Sequence, residues 1–325
     1  MQDPTYTTSP DLTLLSDKMS KLRRQIAQTV VGQNEAIDLI LTAILADGHV
    51  LIEGVPGVAK TLMAKLVARL IDARFSRVQF TPDLMPSDVL GTTVFNVQTQ
   101  QFSFHAGPVF ADIVLVDEIN RAPAKTQAAL FEVMEERQAT VDGERHPMGP
   151  LYTILATQNP VEQEGTYRLP EAQLDRFMMK VEMGYPTADE EVTILERHLE
   201  RPLHAGLEQV QPVITQEELL LLRQMLWQVH IDPSLLHYIV LIAQQTRQSK
   251  DIFLGASPRA SVAMLQASRA YALLQGRDFV APDDIKQVAP AVLAHRIMLT
   301  AEAEMEELTP RRVVMRLIDQ VEVPK

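Results

Sequence analysis

The chain has 325 residues, a formal net charge of −12 and no cysteine. Disulfides, thiolate metal sites and cysteine nucleophiles are therefore excluded, which fits a reducing compartment. The acidic balance argues against broad nucleic-acid binding, although it leaves room for a local basic pore in an assembly. Apolar residues make up 46% of the chain and charged residues 22%, which is ordinary for a globular protein of about two domains.

The sequence carries no pattern for export or for crossing a bilayer. Its first fifteen residues lack a basic segment followed by an apolar one, so we expect no signal peptide. No run approaches the roughly 20 apolar residues that a membrane span requires. We therefore predict a cytoplasmic protein that begins with a flexible segment over residues 1–16.

The most informative stretch is a loop at residues 54–61, with the sequence Gly-Val-Pro-Gly-Val-Ala-Lys-Thr. A mostly apolar run, residues 49–53, precedes it, and residues 62–70 follow with helical periodicity. Strand, loop and helix in this order are typical of a P-loop, which binds phosphate through backbone N–H groups, the lysine and the helix N-terminus, and Mg²⁺ through the threonine. Ala59 stands where the consensus has glycine. The alternative is a chance match in an ordinary strand–turn–helix.

Two further apolar runs end in polar residues. Residues 113–116 lead to Asp117 and Glu118, and residues 152–157 are followed shortly by Asn159. The carboxyl ends of parallel strands meet at one edge of a sheet, so we expect these side chains near the phosphate loop. There one acid can hold the Mg²⁺ water shell, the other can polarise water, and the amide can orient it. The alternatives are a solvated strand end for the acids and an Asn-Pro turn for Asn159.

The remaining patterns separate an α/β part from a helical part. In the α/β part we predict strands at 76–80 and 178–183, β-hairpins at 92–105 and 138–146, and helices at 17–29, 34–46 (capped by Asn34) and 126–137. Residues 184–186, Gly-Tyr-Pro, are the predicted boundary between a core over 17–186 and a helical domain over 187–325. That domain shows no strand-like run, and we predict six helices in it, at 188–200, 215–230, 234–248, 258–274, 282–293 and 310–321.

Two clusters in the helical part have structural interpretations. Trp227, with its neighbours Leu222, Met225 and Leu226, is expected in the core of the helical domain. An acidic run is expected to be a solvated face before the last helix, and it contains Glu302, Glu304, Glu306 and Glu307.

Several of these motifs together resemble the MoxR family of AAA+ ATPases, within the helix-2-insert clade. The resemblance covers roughly residues 30–296 and is carried by residues 54–61, 79–91, 117–123 and 134–137. The alanine at position 59 is one that this family uses. Val116 and Arg168 depart from the family pattern, which usually has alanine and proline there. The resemblance implies an α/β P-loop NTPase (AAA+) fold with a parallel-sheet core and a C-terminal all-helical lid domain.

The resemblance also implies roles for individual residues. Thr61 and Asp117 would hold Mg²⁺, and Glu118 would be the general base. Asn159 would be the sensor 1 residue, Arg176 an arginine finger acting on the neighbouring subunit's ATP, and Arg259 the sensor 2 residue. Lys60 would bind the terminal phosphates as one of the expected ATP-binding residues: Val31, Gly32, Gly54, Val55, Pro56, Gly57, Val58, Ala59, Lys60, Thr61 and Leu62. The hairpins would be the helix-2 insert and the pre-sensor-1 hairpin.

Alternatives stay open for both arginines. Arg176 could form an ion pair with Asp175 or Glu171 of its own chain, and Arg259 could cap a helix. For function, the resemblance implies an oligomeric, expectedly hexameric, Mg²⁺-dependent ATPase. It would remodel or mature partner proteins, often ones with a von Willebrand factor A domain, including by metal-cofactor insertion. The alternatives are a nucleic-acid motor, which the acidic balance disfavours, and a non-hydrolysing nucleotide-gated scaffold.

Overall fold

The computed structural model describes residues 10–98, 100–159, 167, 169–200 and 210–324. The predicted flexible segment and the departure at Arg168 therefore lie partly or wholly outside the described residues. The first helix begins at Pro10, whereas we expected it at Asp17. Residues 10–16 are thus helical, and a proline in the first turn is compatible with this because its missing N–H has no intrahelical partner there.

The chain order of the elements alternates strands and helices in the first half and is mostly helical in the second. The helices are α1 Pro10–Thr29, α2 Asn34–Leu45, α3 Lys60–Leu70, α4 Pro86–Leu90, α5 Ala124–Glu136, α6 Glu171–Leu174, α7 Ala188–Glu200, α8 Gln216–Met225, α9 Pro233–Gln248, α10 Pro258–Leu274, α11 Pro282–Leu293, α12 Ala301–Met305 and α13 Pro310–Gln320. The strands are β1 Val50–Gly54, β2 Phe75–Gln79, β3 Gly91–Asn96, β4 Gln101–Ala106, β5 Ile113–Asp117, β6 Gln138–Val141, β7 Glu144–Pro147, β8 Thr153–Gln158, β9 Met179–Met183, β10 Ile252–Leu254 and β11 Met298–Leu299.

Five of the strands form one parallel sheet in the order β2-β5-β8-β1-β9. Its two faces pack into different apolar clusters, since Ile52 and Leu115 belong to one cluster and Leu51 and Val116 to the other. A sheet covered on both faces needs apolar side chains at successive positions, which explains the uninterrupted apolar runs. The predicted parallel α/β core is confirmed.

Both predicted hairpins are present as two-stranded antiparallel sheets, β3–β4 and β6–β7. They contact each other through a ring stack between Phe104 and His146, whose centroids lie 3.8 Å apart. Beyond this contact the β3–β4 hairpin carries Phe95 and Phe102 as a cross-strand pair, with ring centroids 5.0 Å apart. The two rings are 46% and 74% exposed, so the hairpin presents an aromatic surface away from the sheet.

The helical part differs from the sequence prediction in three places, one of which is α12, a helix that we did not expect. β10 and β11 pair antiparallel, although we expected no strand there; with three and two residues they are too short to show a period. Trp227, expected in the core, is 74% exposed, whereas Leu222 is fully buried. The helix before it ends at Met225 and passes into a 3-10 turn, which changes the direction in which the following side chains point.

Gln33, and not Asn34, is the N-cap of α2.

Two buried arginines join the helical part to the α/β part. Arg223 of α8 donates to the carbonyl oxygens of Ile44 (2.8 Å) and Pro150 (2.9 Å) and to the Asp47 carboxylate (2.6 Å). Arg296, after α11, donates to the Asp175 carboxylate (2.7 Å) and to the Phe177 carbonyl oxygen (2.8 Å). Burial lowers the pKa of both guanidinium groups. Each is therefore a buried charge that depends on its partners.

No helix in the described part of the chain combines the length and the apolar character needed to span a bilayer.

Replacing Arg223 with Met should destabilise the protein by about 2–4 kcal/mol, because the carbonyls and the Asp47 carboxylate lose their buried donor. The midpoint of urea unfolding measures the effect. Arg316→Met, an exposed position on α13, is the matched control and should leave the midpoint within error. Equal midpoints for the two variants would show that Arg223 does not hold the two parts together.

Candidate functional site

The loop between β1 and α3 has the shape that phosphate binding requires. Gly57 has φ +88°, and a Cβ built there would meet no other described atom within 4 Å, so the loop surface is open to a ligand. Lys60 begins α3 and its Nζ donates to the Gly54 carbonyl oxygen (2.5 Å) across the loop. Burial lowers the pKa of Lys60, opposed by the charges of Asp117, Glu118 and Glu53. The ammonium thus lies between the loop and the acids.

The backbone conformation of Ala59 shows why the P-loop consensus has glycine at this position. It has φ +63° and ψ +23°, which is the left-handed region, and it is the residue from which α3 starts. A residue with a Cβ costs roughly 1–2 kcal/mol in this region, which is why a glycine is the usual choice. The alanine keeps the same backbone turn, and the loop still delivers Lys60 and Thr61 to the first turn of the helix.

Strand register brings the predicted polar strand ends to the same edge of the sheet. Gln158 pairs with Glu53, so Asn159 comes level with Gly54, where the loop begins. β5 ends in Asp117 one strand further on, because β8 lies between β5 and β1. The strand that carries the acids is thus not directly beside the loop strand; the strand that carries Asn159 separates them. The Asn-Pro turn suggested for Asn159 would involve residue 160, outside the described residues.

Asp117 is buried and both of its carboxylate oxygens have donors. Arg77 Nε donates to Oδ2 (2.6 Å), and the Thr157 hydroxyl donates to Oδ1 (3.1 Å). The same hydroxyl oxygen accepts from the Glu118 N–H (3.0 Å). Thr157 therefore couples the two acids to β8 and fixes the turn at which Glu118 leaves the strand.

Glu118 is held by two side chains of its own surroundings. Gln79 Nε2 donates to Oε2 (2.9 Å), and Arg121 Nε lies 3.0 Å from the same oxygen. Its backbone is in the left-handed region, with φ +57°, which turns the side chain away from the strand direction. In this structure the carboxylate is thus oriented by its neighbours.

Four side chains that contact the two acids were not predicted from the sequence: Arg77, Gln79, Arg121 and Thr157. Arg77 and Gln79 lie two apart on β2, so their side chains share one face of that strand. The alternation was visible in the sequence, but nothing local indicated that β2 pairs with β5, where Gln79 faces Asp117.

The turn containing Val31 and Gly32 lies beside the loop. Gln33 Nε2 donates to the Gly184 carbonyl oxygen (3.0 Å). Met183, which precedes Gly184 and is the last residue of β9, pairs with Gly54. Gly32 has φ +75°, and a Cβ there would come 2.7 Å from the Glu190 carboxylate. The turn and this carboxylate border a cavity of about 370 Å³. The structure therefore brings Val31 and Gly32, two of the expected ATP-binding residues, near the phosphate loop.

The two predicted arginines share one carboxylate. Arg176 pairs with Glu135 and also donates to the Phe131 carbonyl oxygen (2.9 Å). Arg259 lies 3.7 Å from the same Glu135 and 3.8 Å from Asp175. Among the described carboxylates, Arg176 thus pairs with one that neither sequence alternative named. Arg259 is the second residue of α10, where a cation is unfavourable for the helix dipole, so it is a poor cap.

The arginine pair lies at the opposite edge of the sheet from the phosphate loop. Arg176 and Arg259 border a cavity of about 410 Å³ together with Gly48 and His49, which precede β1. The loop follows the other end of β1, and five residues of extended strand span about 16 Å. The structure therefore brings the lysine, the acids and Asn159 together at one edge, and the two arginines together at the other. Neither arginine can reach its own chain's loop in this arrangement.

The donor set at the loop edge fits a nucleotide and a divalent cation. The open loop, the ammonium of Lys60 and the N-terminus of α3 are suited to phosphate oxygens. The hydroxyl of Thr61 and the carboxylate of Asp117 are hard oxygen ligands of the kind that Mg²⁺ prefers. The edge with the arginine pair suits an anion instead, because two guanidinium groups that share one carboxylate still have N–H donors available.

Two family models match this chain, one in its α/β part and one in its helical part. Residues 49–179 match the ATPase family associated with various cellular activities (AAA), and residues 244–317 match the AAA lid domain. Protein YeaC of Bacillus subtilis is 47% identical over 94% of this chain and 95% of its own. Chaperone MoxR1 of Mycobacterium tuberculosis is 41% identical over 93% of this chain and 81% of its own. A solved structure of a candidate ATPase from Cytophaga hutchinsonii has a TM-score of 0.88 and 39% identity, covering 97% of each chain.

These similarities extend over nearly the whole chain and include both its parts. Protein MoxR of Methylorubrum extorquens adds 31% identity over 90% of this chain and 91% of its own. The parallel sheet followed by a helical lid agrees with the AAA and AAA lid matches, and the resemblance inferred from the motifs is confirmed. The chain belongs to the MoxR family of AAA+ ATPases.

Proposed function

We propose that the chain is a Mg²⁺-dependent ATPase whose active sites form between the subunits of a ring, and that this ring is a hexamer. One observation carries this proposal: the phosphate loop and the arginine pair lie at opposite edges of one sheet. A head-to-tail interface would place one subunit's arginines against the next subunit's loop, and such interfaces form a ring when the rotation between subunits closes. The domain boundary is proposed at residues 184–186, with a core over 17–186 and a lid over 187–325.

Within one subunit, the residues at the loop edge would bind the nucleotide and prepare the water. Lys60 and the loop N–H groups would bind the phosphates, while Thr61 and Asp117 would hold Mg²⁺, which neutralises charge on the phosphates. Asn159 would orient water. Glu118 would accept its proton once the carboxylate turns from Gln79 towards the loop, because in the present orientation its Oε2 is already engaged.

The neighbouring subunit would supply Arg176 and Arg259. Their guanidinium groups would stabilise the charge that develops on the transferred phosphoryl group, which is worth about 10³–10⁵ in rate for an arginine finger. Their shared partner Glu135 keeps them together before assembly. Arg259 is 69% exposed and its pairs are long, so it is free to turn towards an anion.

Glu118→Gln should lower the turnover number by at least about 100-fold, because the amide cannot accept the proton, while the affinity for ATP stays within about threefold. Phosphate release and equilibrium binding of ATP measure the two quantities. Asp142→Asn, at the exposed β6–β7 turn, removes an acid elsewhere and should leave both unchanged. Turnover like that of the wild type in Glu118→Gln would refute the assigned base.

A mixing experiment tests whether the arginines act between subunits. Lys60→Ala and Arg176→Ala should each lose turnover, since one removes the phosphate lysine and the other the finger. After subunit exchange in an equal mixture, about a quarter of the head-to-tail interfaces would combine an intact loop with an intact arginine, so activity should return. An inactive mixture, with exchange verified by labelled subunits, would contradict the trans role. Arg259→Ala is tested against Lys60→Ala in the same way.

We further propose that hydrolysis drives chaperone-like remodelling or maturation of a partner protein, in line with the relative that is named a chaperone. Specifically, we propose that the partner carries a von Willebrand factor A domain and that its maturation includes insertion of a metal cofactor. The β3–β4 hairpin supports a protein partner, because it exposes Phe95 and Phe102 and residues 91–106 contain no Lys or Arg. Apolar surfaces of this kind are suited to polypeptide contact.

The alternative, a motor on nucleic acid, predicts DNA-stimulated hydrolysis and binding that weakens steeply with salt. The second hairpin offers Arg145 and His146 as potential cations, and the ring of His146 is stacked on Phe104. Affinity capture with Glu118→Gln, which should hold ATP and the partner together, would identify the partner class. Recovery of nucleic acid that stimulates wild-type turnover would favour the alternative.

A further inference from the structure

Arg77 stands out because it is the cationic partner of the buried acid at the site. The side chain of Asp117 is 9% exposed and that of Arg77 is 48% exposed, with Nε and Oδ2 2.6 Å apart. A carboxylate removed from water is costly unless a positive charge accompanies it. Arg77 supplies that charge from the neighbouring strand β2, and it does so from the solvent side.

The contact of Arg77 is much less extensive than that of a comparable pair whose two residues directly precede the same two strands. At the other edge of the sheet Arg74 binds Asp112 through its backbone N–H (2.9 Å), Nε (3.1 Å) and Nη2 (3.0 Å). Arg77 meets Asp117 through Nε, and its Nη2 makes a long contact of 3.4 Å with the Gln79 amide oxygen. The Arg74 pair has the geometry of a fixed strut, whereas the Arg77 guanidinium can leave with the loss of one good bond.

A guanidinium group and a divalent cation compete for the same carboxylate. With Thr157 on Oδ1 and Arg77 on Oδ2, a cation that approaches Asp117, directly or through a water molecule, meets a positive charge already in place. We propose that Arg77 is a displaceable counter-ion of Asp117, which Mg²⁺ must replace when it binds with the nucleotide. The proposal rests on the nucleotide site described above and concerns how its metal acid is kept charged and available.

Two consequences distinguish this role from a purely structural one. Because the ion pair is broken when Mg²⁺ binds, Arg77 should weaken Mg²⁺ binding. For the same reason it should stabilise the protein without Mg²⁺ more than the protein with it. A structural strut such as Arg74 would stabilise both forms equally and leave the metal affinity unchanged.

The test is a Mg²⁺ titration of the binding of ADP carrying a fluorescent N-methylanthraniloyl group, with wild type, Arg77→Gln and the control Arg74→Gln. The Mg²⁺ concentration at half-saturation should fall about two- to fivefold in Arg77→Gln, the size expected for a half-exposed ion pair. Arg74→Gln should not shift it. Nucleotide binding in EDTA should be the same for Arg77→Gln and wild type.

Melting temperatures provide the second readout. Arg77→Gln should melt below the wild type in EDTA, and the difference should disappear with saturating Mg²⁺ and ADP, whereas Arg74→Gln should lose the same amount in both conditions. An unshifted or raised Mg²⁺ requirement in Arg77→Gln would overturn this inference alone. A wild-type protein that binds no nucleotide would overturn the proposed function, and the inference with it.

Discussion

Parallel pairing of β1 with both β8 and β9 is the constraint on which the rest of the site depends. In a parallel sheet every carboxyl end lies at one edge, so the phosphate loop, the acids and Asn159 must meet there. The same rule sends whatever precedes a strand to the opposite edge. Arg176 precedes β9 and is therefore separated from its own chain's loop by the length of a strand. The phosphate loop and the arginine pair thus lie at opposite ends of the sheet.

Ion pairs hold the charged side chains at both edges of the sheet. Asp117 lies in the core-facing end of β5 and is accompanied by Arg77 and Thr157, while Glu118 is oriented by Gln79. At the other edge, the single carboxylate of Glu135 pairs with both arginines. In both places a charge that the proposed reaction would use is held in an ion pair in this structure.

The lid is connected to the arginine edge by the same kind of contact. Arg296 enters from the lid and binds the Asp175 carboxylate, beside Arg176 in the chain, while Arg259 approaches the same carboxylate from the start of α10. Arg223 fixes the other side of the junction against Asp47. A displacement of the lid would therefore move the arginine pair, and it would also change the loop side of the sheet through Glu190, which borders one cavity with Val31 and Gly32.

The sequence by itself determined the elements whose signals are local. The phosphate loop, the acids and the amide at strand ends, both hairpins and most helices follow from apolar period, glycine positions and caps within a few neighbouring residues. Tertiary structure alone decided which strand lies beside which, and so that Arg77 and Gln79 belong to the acids, that Glu135 joins the two arginines, and that β10 pairs with β11. These outcomes depend on contacts between residues far apart in the chain, and no local pattern records a partner that only folding brings close.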